Sequence, residues 1–172
     1  MPAENGITVS GGATLTLKDS SANGSGAFKH TATRPEKSAI LANDSGTVVN
    51  IESGTIEATK GNALKVSDAA FHVSGGTIIG GNNGIYVATQ SASPEGTISN
   101  GKIICKGNGC ALNMDDAAIA GNIQLSGGAF KNTVNPTELI RKFNGQIKCT
   151  FLNDTSLAPE ADTEGFYAVR VV

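Results

Sequence analysis

Ser74-Gly-Gly-Thr-Ile78 is one copy of a phrase that recurs along this chain of 172 residues. Its second glycine has counterparts at positions 26, 54, 101 and 128, so successive copies lie 28, 22, 25 and 27 residues apart. A repeat of this length is typical of solenoids, in which each repeat forms one coil. The phrase therefore predicts a coiled fold with a tight glycine turn once per coil.

Each repeat contains three short windows in which apolar and polar residues alternate, as they do in β-strands. In one repeat these windows are residues 55–58, 63–66 and 70–73. Aligning the copies stacks similar apolar residues over one another in a predicted interior: Ile56, Ile78, Ile103 and Phe130; Leu64, Ile85 and Leu112; Val66, Val87 and Met114; Ile51, Val73, Ile98 and Leu125. We predict an all-β, right-handed, single-stranded parallel β-helix of about five coils.

The repeat ends after Phe130, and this defines the predicted domain organisation. Residues 1–131 are expected to form the β-helix coils, and residues 132–172 a C-terminal cap packed on the same domain. A cap is expected because an open solenoid end exposes unpaired strand edges. Within the cap, residues 138–143 have the pattern of a short helix. Residues 29–38 and 88–95 are predicted to be loop insertions between strands.

Composition excludes several classes of partner. The net charge is −2 without a lysine or arginine cluster, which argues against nucleic acid. The longest apolar runs fall far short of the ~20 residues that span a bilayer, so no membrane insertion is expected in this fragment. The first residues lack the pattern of a signal peptide, and a repeat beginning this close to Met1 suggests a piece of a longer protein.

The three cysteines, Cys105, Cys110 and Cys149, form no Cys-x-x-Cys pair, and no histidine stands at a zinc-ligand spacing. Free thiols are the favoured interpretation. A bridge between Cys105 and Cys110 is left open, because spacing alone does not decide it.

A column of acidic residues in one turn is the strongest candidate for catalysis or metal binding. It contains Asp44, Asp68 and Asp116, with Thr89 interrupting it. Carboxylates one coil apart, ~5 Å, could bind Ca²⁺ or share a proton. Aspartate is also favoured in turns, where it accepts backbone hydrogen bonds. The turn interpretation is preferred, so we expect no cofactor, with Ca²⁺ at these residues as the alternative.

Other polar positions are expected to have structural roles. His72 is predicted to lie on a solvated strand face, since no carboxylate or nucleophile accompanies it. Asn62, Asn83 and Asn108 recur at the glycine turn and are predicted to stack as an amide ladder.

Two isoleucines form the candidate contact surface. Ile79 and Ile104 are predicted to point outward on adjacent coils, where polar residues are usual. Cover by the 88–95 loop or the cap would explain them equally well. With no Trp and two Tyr, the sequence argues against a sugar groove built on aromatic stacking. The first coil has no predicted cap, so self-association through it is a further hypothesis.

The phrases Gly12-Ala-Thr-Leu-Thr-Leu-Lys-Asp-Ser20, Ser74-Gly-Gly-Thr-Ile78 and Gly84-Ile-Tyr-Val87 resemble the repeat-rich cell-surface proteins of gut-dwelling Gram-positive bacteria. Those proteins are adhesin-like and have a pectate-lyase-like right-handed β-helix. The resemblance covers about residues 7–131 and implies a secreted or surface-attached module. Its expected partner is a protein or glycan on a host or neighbouring cell.

These observations lead to one functional prediction and one alternative. The chain is predicted to be a non-catalytic extracellular β-helix module, structural or adhesin-like. The alternative is a carbohydrate-active enzyme of the pectate-lyase or polygalacturonase kind, or a degenerate relative, which would use Asp44, Asp68 and Asp116.

Overall fold

The computed structural model describes residues 4–31, 33–88, 94–115, 122–140, 150–151 and 155–171. Within these ranges the chain forms strands and no α-helix, and none of the described segments is a helix that could cross a membrane. The strands are β1 (Ile7–Val9), β2 (Thr14–Leu17), β3 (Ala27–His30), β4 (Ser38–Asn43), β5 (Val48–Ile51), β6 (Thr55–Ala58), β7 (Asn62–Ser67), β8 (Ala70–Val73), β9 (Thr77–Gly80), β10 (Ile85–Ala88), β11 (Glu95–Ile98), β12 (Lys102–Cys105), β13 (Leu112–Met114), β14 (Ile123–Leu125), β15 (Ala129–Asn132), β16 (Thr150–Phe151), β17 (Thr155–Leu157) and β18 (Tyr167–Val171).

Three sheets run along the solenoid. Sheet A has the order β1-β4-β7-β10-β13, sheet B β2-β5-β8-β11-β14-β16, and sheet C β3-β6-β9-β12-β15-β18-β17. Each coil gives one strand to each sheet, and neighbouring coils pair in parallel. Five strand triplets follow one another, which makes about four turns from β1 to β13. The prediction of a parallel β-helix is confirmed.

The predicted interior columns are also confirmed. Ile56 pairs in register with Ile78, Ile78 with Ile103, and Ile103 with Phe130. Every residue predicted to face inward is at most 3% exposed. Stacking identical or similar side chains lets each coil bury its apolar stripe against the next.

A further core column in sheet B was not predicted. It runs Val49, Phe71, Gly96, Ile123 from coil to coil. Phe71 is fully buried, and a Cβ atom built on Gly96 would lie 2.1 Å from its Cε1 atom. The ring therefore fills the space that a side chain at position 96 would occupy.

The recurring phrase makes the turn between sheets B and C. Gly54, Gly76, Gly101 and Gly128 all have left-handed backbone, with φ between 80° and 105°. Because glycine lacks Cβ, this conformation is unstrained there. Gly26 in the first copy differs: its amide donates to the Asp19 carboxylate at 2.8 Å, and its φ is not positive.

Three predictions about the segments between coils are wrong at least in part. Lys29 and His30 belong to β3 and Ser38 to β4, so the first insertion is confined to residues 31–37. Ala88 belongs to β10 and Glu95 to β11, so the bounds 88–95 of the second insertion are too wide, and residues 89–93 lie outside the described residues. Residues 138–140 are not helical: Leu112 donates its amide to the Leu139 carbonyl, and Ile140 forms a parallel bridge with Leu112. This segment is extended rather than helical because its backbone pairs with β13 at the edge of sheet A. Residues 141–143 of the predicted helix lie outside the described residues.

The end of sheet C is formed by an antiparallel hairpin. Strands β17 and β18 pair with each other, and β18 pairs antiparallel with β15. The hairpin covers an edge that the last coil would otherwise leave open. The division of the chain at residue 131 stays a prediction.

Candidate functional site

The two predicted contact residues lie on the outer face of sheet C. Ile79 and Ile104 are register neighbours, with Glu57 and Lys131 on either side in the same column. Both isoleucines are half-buried. In the part of the chain that the structure describes, Val134 is the large hydrophobic residue that is strongly exposed. The isoleucines are thus a small apolar pair within a charged column.

Ion pairs lie at one end of this column. Lys29 and Lys106 each place Nζ 3.3 Å from a carboxylate oxygen of Glu57. Burial by itself raises the pKa of Glu57, but hydrogen bonds from Lys106 and Lys29, together with their charges, outweigh it and hold that pKa below its usual range. Because Lys106 follows β12 and Glu57 lies in β6, the pair spans the coil that carries Ile79.

The C-terminal hairpin lies at the other end of the column. The Nζ of Lys131 donates to the Glu164 carbonyl, and the Nζ of Lys102 lies 2.8 Å from the Glu164 carboxylate. Both ammonium groups lie over the ring of Phe166. The apolar pair is therefore bounded by fixed charges at both ends, which leaves little continuous apolar area for a partner.

The predicted acidic column is only partly described. Asp44 and Asp68 occupy equivalent turns of adjacent coils, since the Asp44 amide donates to the Ser67 carbonyl, and both have left-handed backbone. The Asp44 carboxylate accepts hydrogen bonds from the Gly11 amide and from Asn43. Asp68 is buried. Asp116 and Thr89 lie outside the described residues.

The geometry of Asp44 fits the turn role that aspartate commonly has. Among the residues with a described placement, no three His, Cys, Asp or Glu side chains come together as a metal site. The expectation about Ca²⁺ stays untested, because the third predicted carboxylate is not described.

A groove of about 460 Å³ lies over the outer face of sheet A. The outward column of sheet A forms its floor, and the loop before β4 and the turns before β10 and β13 form its sides. It is lined by Pro35, Glu36, Asn62, Lys65, Asn82, Asn83, Tyr86, Asn108, Gly109, Asn113 and Asp115. Polar side chains with one aromatic ring thus make up its surface.

Tyr86 is the aromatic residue of this groove. In sheet A it lies between Lys65 on one neighbouring coil and Asn113 on the other. The Nζ of Lys65 is 5.4 Å from the centre of the ring, and the phenol hydroxyl donates to the Asp115 carboxylate. These contacts from two different coils fix the ring in place.

A buried chain of side-chain amides lies beneath the groove. Asn83 Nδ2 donates to Asn62 Oδ1 at 2.8 Å, and Asn113 Nδ2 donates to Asn83 Oδ1 at 3.0 Å. All three residues are buried. The predicted ladder is confirmed for Asn62 and Asn83. It is wrong for Asn108, which is exposed, because Cys110 rather than Asn108 follows Asn83 in the register.

The orientation of these amides is fixed by the backbone. The Cys110 N–H donates to Asn83 Oδ1 at 2.9 Å, and a backbone N–H can only donate. Asn83 must then present its amino group to Asn62, and Asn113 must present its amino group to Asn83. A Cβ at Gly109 would lie 2.3 Å from Asn83 Oδ1, so this glycine leaves room for the network.

One acceptor of this network has no partner. Asn113 Oδ1 is buried and makes no hydrogen bond within the described structure. His30 Nε2, Ser38 Oγ and Ser67 Oγ share this property, but those residues do not line the groove. An unsatisfied buried acceptor costs about 1–3 kcal/mol. The sequence did not single out Asn113 as a candidate residue, because no local motif marks it.

The remaining predicted residues agree with their structural interpretation. His72 is exposed on sheet B, with Nδ1 2.8 Å from Thr97 Oγ1. Cys105 and Cys110 are buried and take part in no disulfide, so the bridge between them is not formed. Burial raises the pKa of the Cys105 thiol. Cys149 lies outside the described residues.

Chemically, the groove is a polar surface on a scaffold of paired strands. Its amides and carboxylates can hydrogen-bond hydroxyl or amine groups, and the Tyr86 ring can pack against an apolar face. Comparison of the chain with protein-family models, with curated proteins and with solved structures finds no match in any of the three.

Proposed function

We propose that this chain is a non-catalytic β-helix module of an extracellular bacterial surface protein, serving as a rigid, adhesin-like binding element. The observation that carries the proposal is the groove over sheet A, in which Tyr86 and Asn113 are already held by hydrogen bonds from neighbouring coils. The surface location is supported only by the resemblance of residues 7–131 to repeat-rich surface proteins.

Rigidity is what suits this architecture to binding. Side chains held in position before the ligand arrives lose little conformational freedom on association, so more of the contact energy remains for affinity. The expected partner is a protein or glycan on a host or neighbouring cell. The weakly negative chain has no feature that would favour nucleic acid.

The test is a binding screen of the folded chain against immobilised extracellular-matrix proteins and glycans. Tyr86→Ala removes the aromatic floor of the groove, and His72→Ala serves as the control because it removes an exposed ring from sheet B. We expect at least one ligand whose binding weakens tenfold or more in Tyr86→Ala and is unchanged in His72→Ala. If every bound ligand is retained equally by both variants, the groove is not the binding element.

A carbohydrate-processing enzyme is the second candidate, favoured by one observation. Glu36 and Asp115 both line the groove, and paired carboxylates act as acid and base in glycoside hydrolysis. The predicted residues Asp44 and Asp68 are not part of that lining. We expect no release of reducing or unsaturated sugars from neutral or acidic polysaccharides, with or without Ca²⁺. Product release that disappears in Glu36→Gln and Asp115→Asn would replace the binding proposal with the enzymatic one.

Self-association through the first coil also remains a proposal. Strands β1, β2 and β3 each form one edge of their sheet, and Leu15, Leu17 and Phe28 in this coil are only partly buried. Strand edges of this kind can pair with another chain. A molecular mass that stays monomeric across a dilution series, measured by light scattering, would contradict it.

A further inference from the structure

We propose that Asn100 is a site of spontaneous covalent modification, at which the chain converts the asparagine into aspartate and isoaspartate through a cyclic imide with Gly101. The inference is independent of the groove over sheet A and of any ligand. It is carried by the peptide unit that joins Asn100 to Gly101 in the turn between sheets B and C.

The reaction needs an asparagine and a backbone nitrogen that is free to reach it. The Gly101 nitrogen, once its proton has passed to a base in the solvent, attacks Cγ of Asn100. The N–Cγ bond forms, the Cγ–Nδ2 bond breaks, and the side-chain nitrogen leaves as ammonia after taking a proton from water. Water then opens the imide: cleavage at Cγ gives aspartate, and cleavage at the backbone carbonyl gives isoaspartate, whose main chain continues through Cβ. Glycine favours the ring because it has no side chain to obstruct it.

The motif alone does not select a site, because the chain contains six Asn-Gly pairs. They begin at Asn5, Asn23, Asn83, Asn100, Asn108 and Asn144. The last of these lies outside the described residues. The other five differ in what holds the glycine nitrogen, and a nitrogen whose N–H is engaged in a hydrogen bond must give up that bond before it can attack.

Four of the five pairs are held in place. In three of them the glycine amide donates to a backbone carbonyl 3.0–3.2 Å away: Gly6 to Ser38, Gly24 to Ser21 and Gly84 to Cys110. In the fourth, Gly109 is buried, and a Cβ built on it would lie 2.2 Å from the Asn82 carbonyl oxygen. The backbone there is too closely packed for the Gly109 nitrogen to turn toward Asn108.

The fifth pair is different because the hydrogen bonds between coils pass it by. The amides of Ser99 and Lys102 each donate to the preceding coil at 2.9 Å. Between these two bonds, neither the Asn100 carbonyl nor the Gly101 N–H makes a hydrogen bond within the described structure. This peptide unit can therefore rotate without breaking a hydrogen bond. The Asn100 side chain is exposed, so water and base reach it.

The other coils share the turn but not the reactive pair. In the preceding coil the ladder skips the turn in the same way, with bonds from the amides of Ser74 and Thr77 on either side. The residue before the left-handed glycine is serine or glycine in those copies, at Ser53, Gly75 and Gly127. Asparagine meets an unbonded glycine nitrogen at this turn in one coil.

The experiment follows each Asn-Gly pair separately. The folded chain is held in mildly alkaline buffer at body temperature, sampled over several weeks and digested at acidic pH. Mass spectrometry of the peptides then measures the loss of ammonia, with fragmentation that distinguishes isoaspartate from aspartate. We expect Asn100 to react at least fivefold faster than Asn5, Asn23, Asn83 and Asn108. In urea these five pairs should react at similar rates, because each is followed by glycine and the structure no longer separates them.

Two matched variants check the assignment with an isoaspartate-specific methyltransferase as the probe. Both are made in a chain that carries Asn144→Ser, so that the signal comes from the described pairs. Asn100→Ser places at this turn the residue found at Ser53, and it should remove most of the methylation that the folded chain accumulates. Asn108→Ser should leave that methylation nearly unchanged. Circular dichroism confirms that both variants keep the fold.

Three results would overturn the inference. The first is an Asn100 that reacts no faster than the other pairs in the folded chain. The second is a different pair that reacts fastest, above all Asn23 in its exposed turn. The third is the same order of rates in urea as in the folded chain, because the selection would then come from the sequence and not from the coil register.

Discussion

Gly96→Ala tests whether the interior packing between β8 and β11 controls the stability of the solenoid. Gly96 does not have positive φ, so alanine fits its backbone without strain. On backbone entropy alone, alanine should stabilise the protein by about 0.4–1 kcal/mol. Packing predicts the opposite, because the new Cβ would lie 2.1, 2.4 and 2.8 Å from three ring atoms of Phe71.

The clash should dominate. Phe71 is fully buried, so its ring cannot swing into solvent to make room. Overpacking of this kind costs about 1–3 kcal/mol, which exceeds the entropic gain. We expect a net loss of about 1–2 kcal/mol in the free energy of unfolding, or a fall in Tm of roughly 3–6 °C for a chain of this size. Thermal and urea unfolding, monitored by circular dichroism, measure the loss of unfolding free energy and the fall in Tm.

A double-mutant cycle with Phe71→Leu provides the control. Leucine lacks the ring atoms that clash, so Phe71→Leu should destabilise the alanine variant by less than it destabilises the unaltered chain. The expected coupling is at least about 0.5 kcal/mol. A Gly96→Ala variant that is more stable than the parent would refute the reasoning. The reasoning would also be refuted if the losses of unfolding free energy from the two single substitutions simply add in the double variant.

Three further predictions follow from buried or hydrogen-bonded groups outside the groove. Asn132→Ala should lower the unfolding free energy by about 2–3 kcal/mol in urea, since its buried carboxamide accepts from two backbone amides and donates to two carbonyls. Asn132→Asp keeps the acceptor but turns a carboxylate oxygen toward both carbonyls, so it should lose at least as much near neutral pH. Hydrogen bonds from Ser21 and the Gly26 amide hold the pKa of Asp19 below its usual range, so its contribution is present above the ordinary aspartate pKa and is lost as the pH falls through the lowered value. The urea midpoints of the parent and Asp19→Asn should therefore differ at pH 6 and converge toward pH 2, and a constant difference would contradict this. Cys105, studied in a chain with its other cysteines replaced, should react with a thiol reagent far more slowly when folded than in urea, because burial raises its thiol pKa; equal rates would contradict the buried placement.

The fold was predictable because its determinants are local and repeated. The left-handed glycines at 54, 76, 101 and 128 stand at one place in every copy, and the alternation around them identifies the inward residues. The Phe71 column was missed because Gly96 interrupts it. A glycine has no apolar side chain to count, although here it is the partner that lets a large ring enter the core.

The groove was harder to predict because it depends on contacts between coils. Asn83 and Cys110 are 27 residues apart, and their hydrogen bond exists only through the coil register. Asn108 matches the asparagine pattern in the sequence, yet the chain places Cys110 at the ladder position. Tyr86 is not marked by a local motif, and its place in the groove depends on contacts with Lys65 and Asp115 from other coils.

The stacking of coils also has a mechanical consequence. Hydrogen bonds between parallel strands of successive coils lie along the solenoid axis. Tension along that axis therefore loads the coils in series and peels them away one at a time, whereas a force across the axis loads all the bonds of a ladder together. Releasing the 25 residues between Gly76 and Gly101 would free roughly 80–90 Å of extended chain. Under axial load, such a solenoid lengthens in steps of this size and dissipates the force gradually.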